Sequence, residues 1–524
     1  MKIEILDTTL RDGEQGAGVE FSVSDKIKVI HALDALGVSY IEAGMITDEA
    51  GAEFFRQIGS LELKNSRLAV FTQTCRAGEE AADSRMLSWA AEAPVPVCVI
   101  YGKSWLYQVT EVLGTTGDEN LRMIRDSILF LKSRGKKVIF DAEHFFDGYS
   151  DNAEYAMSAV SAALEAGAET AVLCDTNGGM LPDVVGMISA AVCKKYKNIG
   201  IHCHNDLGMA EACSVSAALS GAAHVQGTIS GIGERCGNAN LDTLIPVLQL
   251  KLGFDCIGNK IKLLTKTARE VNEAANMSFS ESEPFVGGYA FTHKAGAHID
   301  GVTKTPRSFE HISPETVGNS RNIVVSGLCG RAAIIDKMRT YLPKDEFSKN
   351  DPRVLRAAQA VRRKESLGFD YEDAGASLAL LIDEVVGRRK RFFDLLSLKV
   401  IVDEADAAKT ESGLDTFSAS AVIKISVGGR EELAAGEGNG PVNAIDEALR
   451  RSLTRFYPEI AGMHLTDYRV RVLDSRATAS AVRVSIESTD GVSVWRTIGV
   501  SSDVINASWQ ALCDSVEYML GKTR

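Results

Sequence analysis

Ile3-Glu4-Ile5-Leu6-Asp7-Thr8-Thr9-Leu10-Arg11-Asp12-Gly13-Glu14-Gln15 begins as a short apolar strand and ends as a polar loop. From Ser24, read as a capping serine, Ile27, Ile30, Leu33 and Leu36 recur at helical spacing. An arginine set among carboxylates therefore sits where a strand hands over to a helix. In α/β proteins that is where ligands bind, outside the carboxyl ends of the strands. The bland alternative is a solvated charged loop, and the rest of the chain decides between the two.

Working outward, the same beat repeats. Strands are predicted at Ile3–Leu6, Tyr40–Glu42, Leu68–Phe71, Val95–Ile100, Val138–Phe140, Ala171–Leu173, Ile199–Cys203 and His224–Gln226. Between them lie amphipathic or alanine-rich helical stretches, among them Asp118–Ser133, Glu154–Ala166 and Leu181–Val192. Eight strand–helix units in about 250 residues match a (β/α)8 TIM barrel. A doubly wound open sheet competes, but no GxGxxG follows the first strand.

In such a barrel the strands end at the site, and several of these strands end in chemistry-bearing residues. They are Asp141-Ala142-Glu143-His144, Cys174-Asp175-Thr176-Asn177, His202-Cys203-His204-Asn205-Asp206 and Gly233-Glu234-Arg235-Cys236-Gly237-Asn238. Side chains alternate along a strand, so His202 and His204 share a face while Cys203 points to the surrounding helices. Two imidazoles side by side grip a metal at two points, and one carboxylate completes a three-ligand site with open positions. Two structural, hydrogen-bonded histidines are the alternative. Asp12 is the first choice of carboxylate, ahead of Asp7, Asp175 and Asp206. Arg11 is a fork for a substrate carboxylate, Thr176 a hydrogen-bond donor to it or mere turn chemistry, and Glu143 a general base or base partner, or else a structural acid paired with a nearby cation.

Composition narrows the field. A chain of 524 residues implies several domains. A net charge of −13 argues against nucleic acid or an anionic membrane as partner. Ten cysteines without CxxC pairs, and no signal-like segment, point to reduced thiols in the cytoplasm. No apolar run is long enough to span a bilayer.

Taken together, Asp7–Gln15, His202–Asp206 and Gly233–Asn238 resemble the 2-isopropylmalate synthase, homocitrate synthase and citramalate synthase family over nearly the whole chain. The run Phe140-Asp141-Ala142-Glu143-His144-Phe145-Phe146-Asp147-Gly148-Tyr149 is most similar to the longer citramalate synthase branch. The resemblance implies a divalent metal (Zn, Mn or Mg) on Asp12, His202 and His204, with Asn238 at its coordination sphere. It also implies acetyl-CoA and a 2-oxo acid as substrates, pyruvate in the citramalate branch and 2-oxoisovalerate or 2-oxoglutarate otherwise. Arg11 and Thr176 would hold the oxo acid. Glu143 and His298, from Ala295-Gly296-Ala297-His298-Ile299-Asp300-Gly301, would be catalytic, with Asp300 substrate-binding and His293 structural. Phe71, Thr72, Tyr101 and Asp141 are the positions expected to set substrate size.

After Leu252 the strand–helix beat stops. The expected organisation is a catalytic barrel over 1–265, a linker subdomain over 266–325 carrying His298, a helical linker over 326–395 and an α+β regulatory domain over 396–524. By resemblance the linkers would carry acyl-CoA contacts and much of a homodimer contact; Lys294, Lys304, Arg307 and Arg321 are phosphate candidates, with a solvated face the expected role of most of them. In the last domain Asn443-Ala444…Ala448-Leu449 and Asn506-Ala507…Ala511-Leu512 mark a repeated three-strand-plus-helix unit. By resemblance this domain takes an end-product amino acid, isoleucine for the citramalate branch. The loop Gly436–Pro441 reads as a turn into a helix, with phosphate binding as the alternative. Two other classes remain at this stage: an iron oxygenase with the same ligand trio, and a non-catalytic amino-acid sensor.

Overall fold

The computed structural model describes residues 2–324, 331–404, 417–473 and 480–523. All eight predicted strands form. They are β1 (Glu4–Asp7), β2 (Tyr40–Met45), β3 (Arg67–Gln73), β4 (Val97–Lys103), β5 (Lys137–Glu143), β6 (Thr170–Asp175), β7 (Ile199–Cys203) and β8 (His224–Gly227). They pair in parallel, in sequence order, and close as a barrel where Glu4 meets His224 and Asp7 meets Gly227. The alternating helices are α1 (Val23–Leu36), α2 (Glu49–Ile58), α3 (Arg85–Glu92), α4 (Gly117–Ser133), α5 (Phe145–Glu165), α6 (Pro182–Lys195), α7 (Ala210–Leu219) and the short α8 (Leu241–Pro246).

The period of two along each strand creates two cores. Outward residues such as Ile5, Val70, Ile100, Phe140, Ile201 and Cys203 join the layer between strands and helices. Leu6, Val97, Val99, Ile139 and Val172 fill the barrel interior. Each such fully buried aliphatic side chain stabilises the fold by roughly 1.5–3 kcal/mol. Gly200 leaves the room that the buried His224 ring occupies, because a Cβ there would sit 2.9 Å from its Cδ2.

Two helix starts differ from the sequence expectation. Ser22, and not Ser24, caps α1: its hydroxyl accepts the Asp25 N–H at 3.2 Å, and Asp25 accepts the Ser22 N–H at 3.3 Å. Helix α5 begins at Phe145, well before Glu154, and bends at Asn152 (φ −148°, ψ 88°). The polar run Asp147–Asn152 hides a first turn that is anchored by the fully buried Phe145 and Phe146.

The chain forms two compact units. The first comprises Met1–Phe291 and Ile312–Arg321, the second Thr292–His311 and Asn322–Arg524. The boundary expected at 265/266 falls inside α9 (Leu264–Ala274), which packs on α1 and stays with the barrel. The boundary expected at 325/326 lies outside the described residues.

In the second unit, β9 (Thr292–His293) pairs in parallel with β10 (Asn322–Ile323). Helices α10 (Gly296–Lys304), α11 (Arg331–Tyr341), α12 (Pro352–Ser366) and α13 (Gly375–Val385) follow. Two antiparallel sheets then repeat one plan. Strands β11 (Asp394–Glu404), β12 (Phe417–Val427) and β13 (Arg430–Gly438) lead into α14 (Pro441–Thr454), and β14 (His464–Val472), β15 (Val482–Thr489) and β16 (Val494–Ser501) into α15 (Val504–Thr523). The repeated skeleton is explained by burial: Ala444, Ala448 and Leu449 share one core with Ala507, Ala511 and Leu512. Among the described residues no helix is long and apolar enough to cross a membrane.

Candidate metal and substrate site

The loop after β1 turns back over the barrel mouth. Asp7 is spent on that turn, accepting the Thr9 N–H at 3.0 Å and the Thr9 hydroxyl at 2.9 Å. Burial pushes its carboxyl up to about 7. Arg11 and Asp12 reach the site. Arg11 Nη1 lies 2.7 Å from Asp12 Oδ2, its Nε lies 2.6 Å from Glu42 Oε2, and its guanidinium stands 3.9 Å over the Phe71 ring. Burial works to raise Asp12, but Arg11 and the two histidines outweigh it and hold the carboxyl well below the usual range. Those bonds leave Arg11 Nη2 uncommitted, which suits a substrate carboxylate.

Asp12, His202 and His204 are all buried, and their ligand atoms lie within 4.8 Å of one another, the one such trio among the described residues. The Nε2 atoms of His202 and His204 lie 3.7 and 3.9 Å from Asp12 Oδ2. Burial, then the neighbouring His204, drives His202 down to about 3, and burial lowers His204 as well. Both imidazoles are therefore neutral near pH 7, the form that ligates. Two neutral imidazoles and an ionised carboxylate converging on one point fit a divalent cation. Asn238 donates to Asp12 Oδ1 at 3.0 Å and to the Ile232 carbonyl at 3.1 Å, while its own Oδ1 is buried without a partner. It is thus beside the trio and steadies the carboxylate.

The last loop is stitched onto the end of β7. Asn205 N–H donates to Gly237 O and Ala239 N–H to Cys203 O. Gly237 has φ +86°, and a Cβ there would collide with the Gly231 carbonyl, so glycine is required. Arg235 clamps Asp206 with two bonds of 2.9 Å and reaches the Thr176 carbonyl at 2.8 Å. Asp206 is thereby committed to Arg235, and Asp175 to the backbone of Gly179 and Met180. Cys203 points into the outer core, where it contacts Cys213 on α7.

A cavity of about 250 Å³ opens beside the trio, lined by Arg11, Phe71, Tyr101, Asp141, Glu143 and Thr176 among others. Glu143 pairs with Lys103 at 2.6 Å. The Thr176 hydroxyl accepts the His144 N–H at 2.8 Å, which leaves its proton free to donate. Phe71 and Tyr101 stack at 5.3 Å and 14°, and Tyr101 donates to Gln73 at 3.0 Å. Burial, and next to it Glu42, raises Asp141 to about 8. Thr72 is buried and does not line this cavity; its hydroxyl bonds the Met86 carbonyl.

His298 and Asp300 belong to the second unit, on α10. The His298 ring stacks on Phe309 at 4.3 Å, and Asp300 pairs with Lys304 and Lys349, each at 2.6 Å. His293, read as structural, is buried against Glu310 at 3.1 Å. Lys294 pairs with Glu372.

Glu42, Gln226 and Lys103 were not singled out from the sequence. Glu42 is fully buried and accepts the Thr8 hydroxyl at 2.5 Å as well as Arg11. A glutamate at the end of an apolar strand was the available signal, since an unpaired buried carboxylate is too costly to keep.

Residues 2–272 match the family model described as HMGL-like. Residues 285–360 match a homocitrate synthase post-HMGL domain-like model, and residues 374–520 a LeuA allosteric (dimerisation) domain. Proteins named (R)-citramalate synthase are similar over the full length. The one from Aquifex aeolicus is 44% identical across 99% of this chain and 98% of its own. Those from Sulfolobus acidocaldarius and Geobacter sulfurreducens are 43% and 41% identical, with 99% of this chain and 97% and 98% of their own covered.

Proposed function

Because the chain belongs to the HMGL-like family, and within it to the (R)-citramalate synthases, we propose that its barrel mouth joins acetyl-CoA to pyruvate and releases citramalate and CoA. The observation that carries this reading is the convergence of Asp12, His202 and His204 beside Arg11 and Glu143 in one small cavity. A bound divalent cation, whether Zn, Mn or Mg, supplies Lewis-acid polarisation of the 2-oxo group.

The protein's own residues do the rest. Arg11, fixed by Glu42 and Asp12, offers Nη2 to the substrate carboxylate, and Thr176 adds its hydroxyl proton. The oxygen that gains charge during carbon–carbon bond formation lies in the field of that guanidinium. Glu143, held by Lys103, takes the proton from the acetyl methyl, and His298 is a second catalytic candidate by resemblance. Asp300, two residues on, is read as substrate-binding. Hydrolysis of the thioester after condensation draws the reaction forward. Phe71 and Tyr101, locked by their stacking, limit the space beyond the keto carbon and favour the methyl of pyruvate. The discrimination available to such an apolar wall is about 1–3 kcal/mol per methylene.

The allosteric (dimerisation) match over 374–520 supports a homodimer with an amino-acid effector, which we take to be isoleucine. Metabolism of acetyl-CoA and the free thiols of the described cysteines support a cytoplasmic enzyme.

Free thiol released from acetyl-CoA, followed with pyruvate, 2-oxoisovalerate and 2-oxoglutarate in turn, tests the assignment. Pyruvate should be preferred, and turnover should stop with a chelator and return with a divalent cation. A clear preference for either larger acid overturns the substrate. Turnover that survives chelation overturns the cation. L-Isoleucine, added to the same assay, should slow the enzyme.

A further inference from the structure

Gln226, on β8, is 1% exposed and bridges two groups that matter to the site. Its Oε1 stands 3.0 Å from His202 Nδ1, and its Nε2 donates to Asp141 Oδ1 at 3.0 Å. A carboxamide has nearly the same shape either way round, so packing alone does not choose its orientation. Hydrogen bonding does. Asp141 Oδ1 accepts, whether the group is a carboxylate or an acid protonated on its other oxygen. In both of those states the NH2 of Gln226 faces Asp141, as it does in the structure, which turns the amide oxygen toward the imidazole.

That choice fixes the histidine. An oxygen against Nδ1 requires the ring proton on Nδ1, so the lone pair lies on Nε2, the nitrogen that faces Asp12. The reversed amide would press an N–H against Nδ1, drive the ring proton to Nε2 and cap the ligating atom. His204 has no comparable partner, because its Nδ1 is buried without a hydrogen bond. The two histidines are thus unlike: one is oriented by the protein and the other is not.

We infer that Asp141, acting through the Gln226 amide, fixes the tautomer of His202 and pre-organises it as the leading imidazole of the cation site. Asp141 and Gln226 are positioning residues, and Asp141 joins the wall of the substrate cavity to the metal ligands through one side chain. The inference rests on the divalent-cation reading above. Hydrogen bonds to the remote nitrogen of a ligating histidine generally set its ring orientation and its basicity.

Cobalt(II) is the probe, titrated into chelator-stripped protein against a competing chelator, with its visible absorption reporting the site. Gln226→Leu should bind it about 10–100-fold more weakly than the unaltered protein. Asp141→Leu should also weaken it, since the amide is then free to turn. The double variant Asp141→Leu/Gln226→Glu should recover to within about threefold, because a carboxylate presents oxygen either way round. Cobalt affinity unchanged in Gln226→Leu overturns the inference. So does a double variant that melts like the unaltered protein and shows no recovery. Should Gln226→Leu not fold, the Asp141→Leu pair decides alone. His204→Ala is the control for the site, and unaltered protein that binds cobalt no better than this control overturns the cation reading itself.

Discussion

Replacing Glu42 with alanine asks whether Arg11 is held in the site by a buried counter-charge. Glu42 is 0% exposed, and its Oε2 takes Arg11 Nε at 2.6 Å and the Thr8 hydroxyl at 2.5 Å. The Arg11 side chain is only 11% exposed, so water cannot replace the lost carboxylate. Breaking a buried ion pair from one side costs about 3–5 kcal/mol, and the orphaned Thr8 hydroxyl adds about 1. Asp12 remains beside Arg11 and offsets part of this, which keeps the expected loss at about 3–5 kcal/mol.

A unit of this size loses roughly 2–4 °C of melting temperature per kcal/mol, so the barrel transition should fall by on the order of 6–20 °C. Differential scanning calorimetry is the assay, with the barrel transition read as its own component because the chain has two units. Glu42→Gln keeps an acceptor oxygen for both donors and should fall by about 1–2 kcal/mol. In both variants the KM for the 2-oxo acid should rise, since the guanidinium is no longer aimed. An alanine variant melting within about 2 °C of the parent, on the same scale, refutes the reasoning, as does a glutamine variant that falls as far as alanine.

Lys103→Met removes the cation that holds Glu143; kcat should drop about tenfold or more while the KM for pyruvate changes little, as steady-state kinetics will show. His204→Ala should lose both bound metal, read by elemental analysis, and turnover, with the circular-dichroism spectrum retained. Buried His224, with neither ring nitrogen partnered, is pushed down to about 4 from an ordinary 6.5. The unfolded chain therefore binds the extra proton between those values, and stability is lost as pH falls from 6.5 toward 4. His224→Phe should flatten the profile there by up to about 1.4 kcal/mol per pH unit. Denaturation midpoints of the two proteins at pH 4.5 and 7 measure the difference, and the buried carboxyls Asp7 and Asp242 cancel in that comparison.

The barrel was legible because its outward faces are aliphatic and its helices amphipathic, so every strand announced itself. The strand ends were less so. The β5 strand read as Val138–Phe140 runs on to Glu143, β4 to Lys103 and β2 to Met45. The extra residues alternate between the outer core and the mouth, and those at the mouth include Tyr101, Asp141 and Glu143, so hydropathy ends the strand where the chemistry begins. Ala142 lies in the outer core while Asp141 and Glu143 line the cavity. The same alternation that placed His202 and His204 was present in β5.

What one sequence could not show is how separate strand ends combine. Asp12, Glu42, Asp141 and Glu143 come from two strands and a loop, and each alone reads as an ordinary acid. Brought together they set four carboxylates against two cations, Arg11 and Lys103. Burial, and then Glu42, raise Asp141 to about 8, so it holds its proton near neutral pH and one carboxylate charge is left uncompensated. A divalent cation held by Asp12, His202 and His204 would meet that charge. The neutral imidazoles of His202 and His204 coordinate it without adding charge of their own. Glu42, the residue hardest to see in the sequence, both holds Arg11 and helps to keep Asp141 protonated.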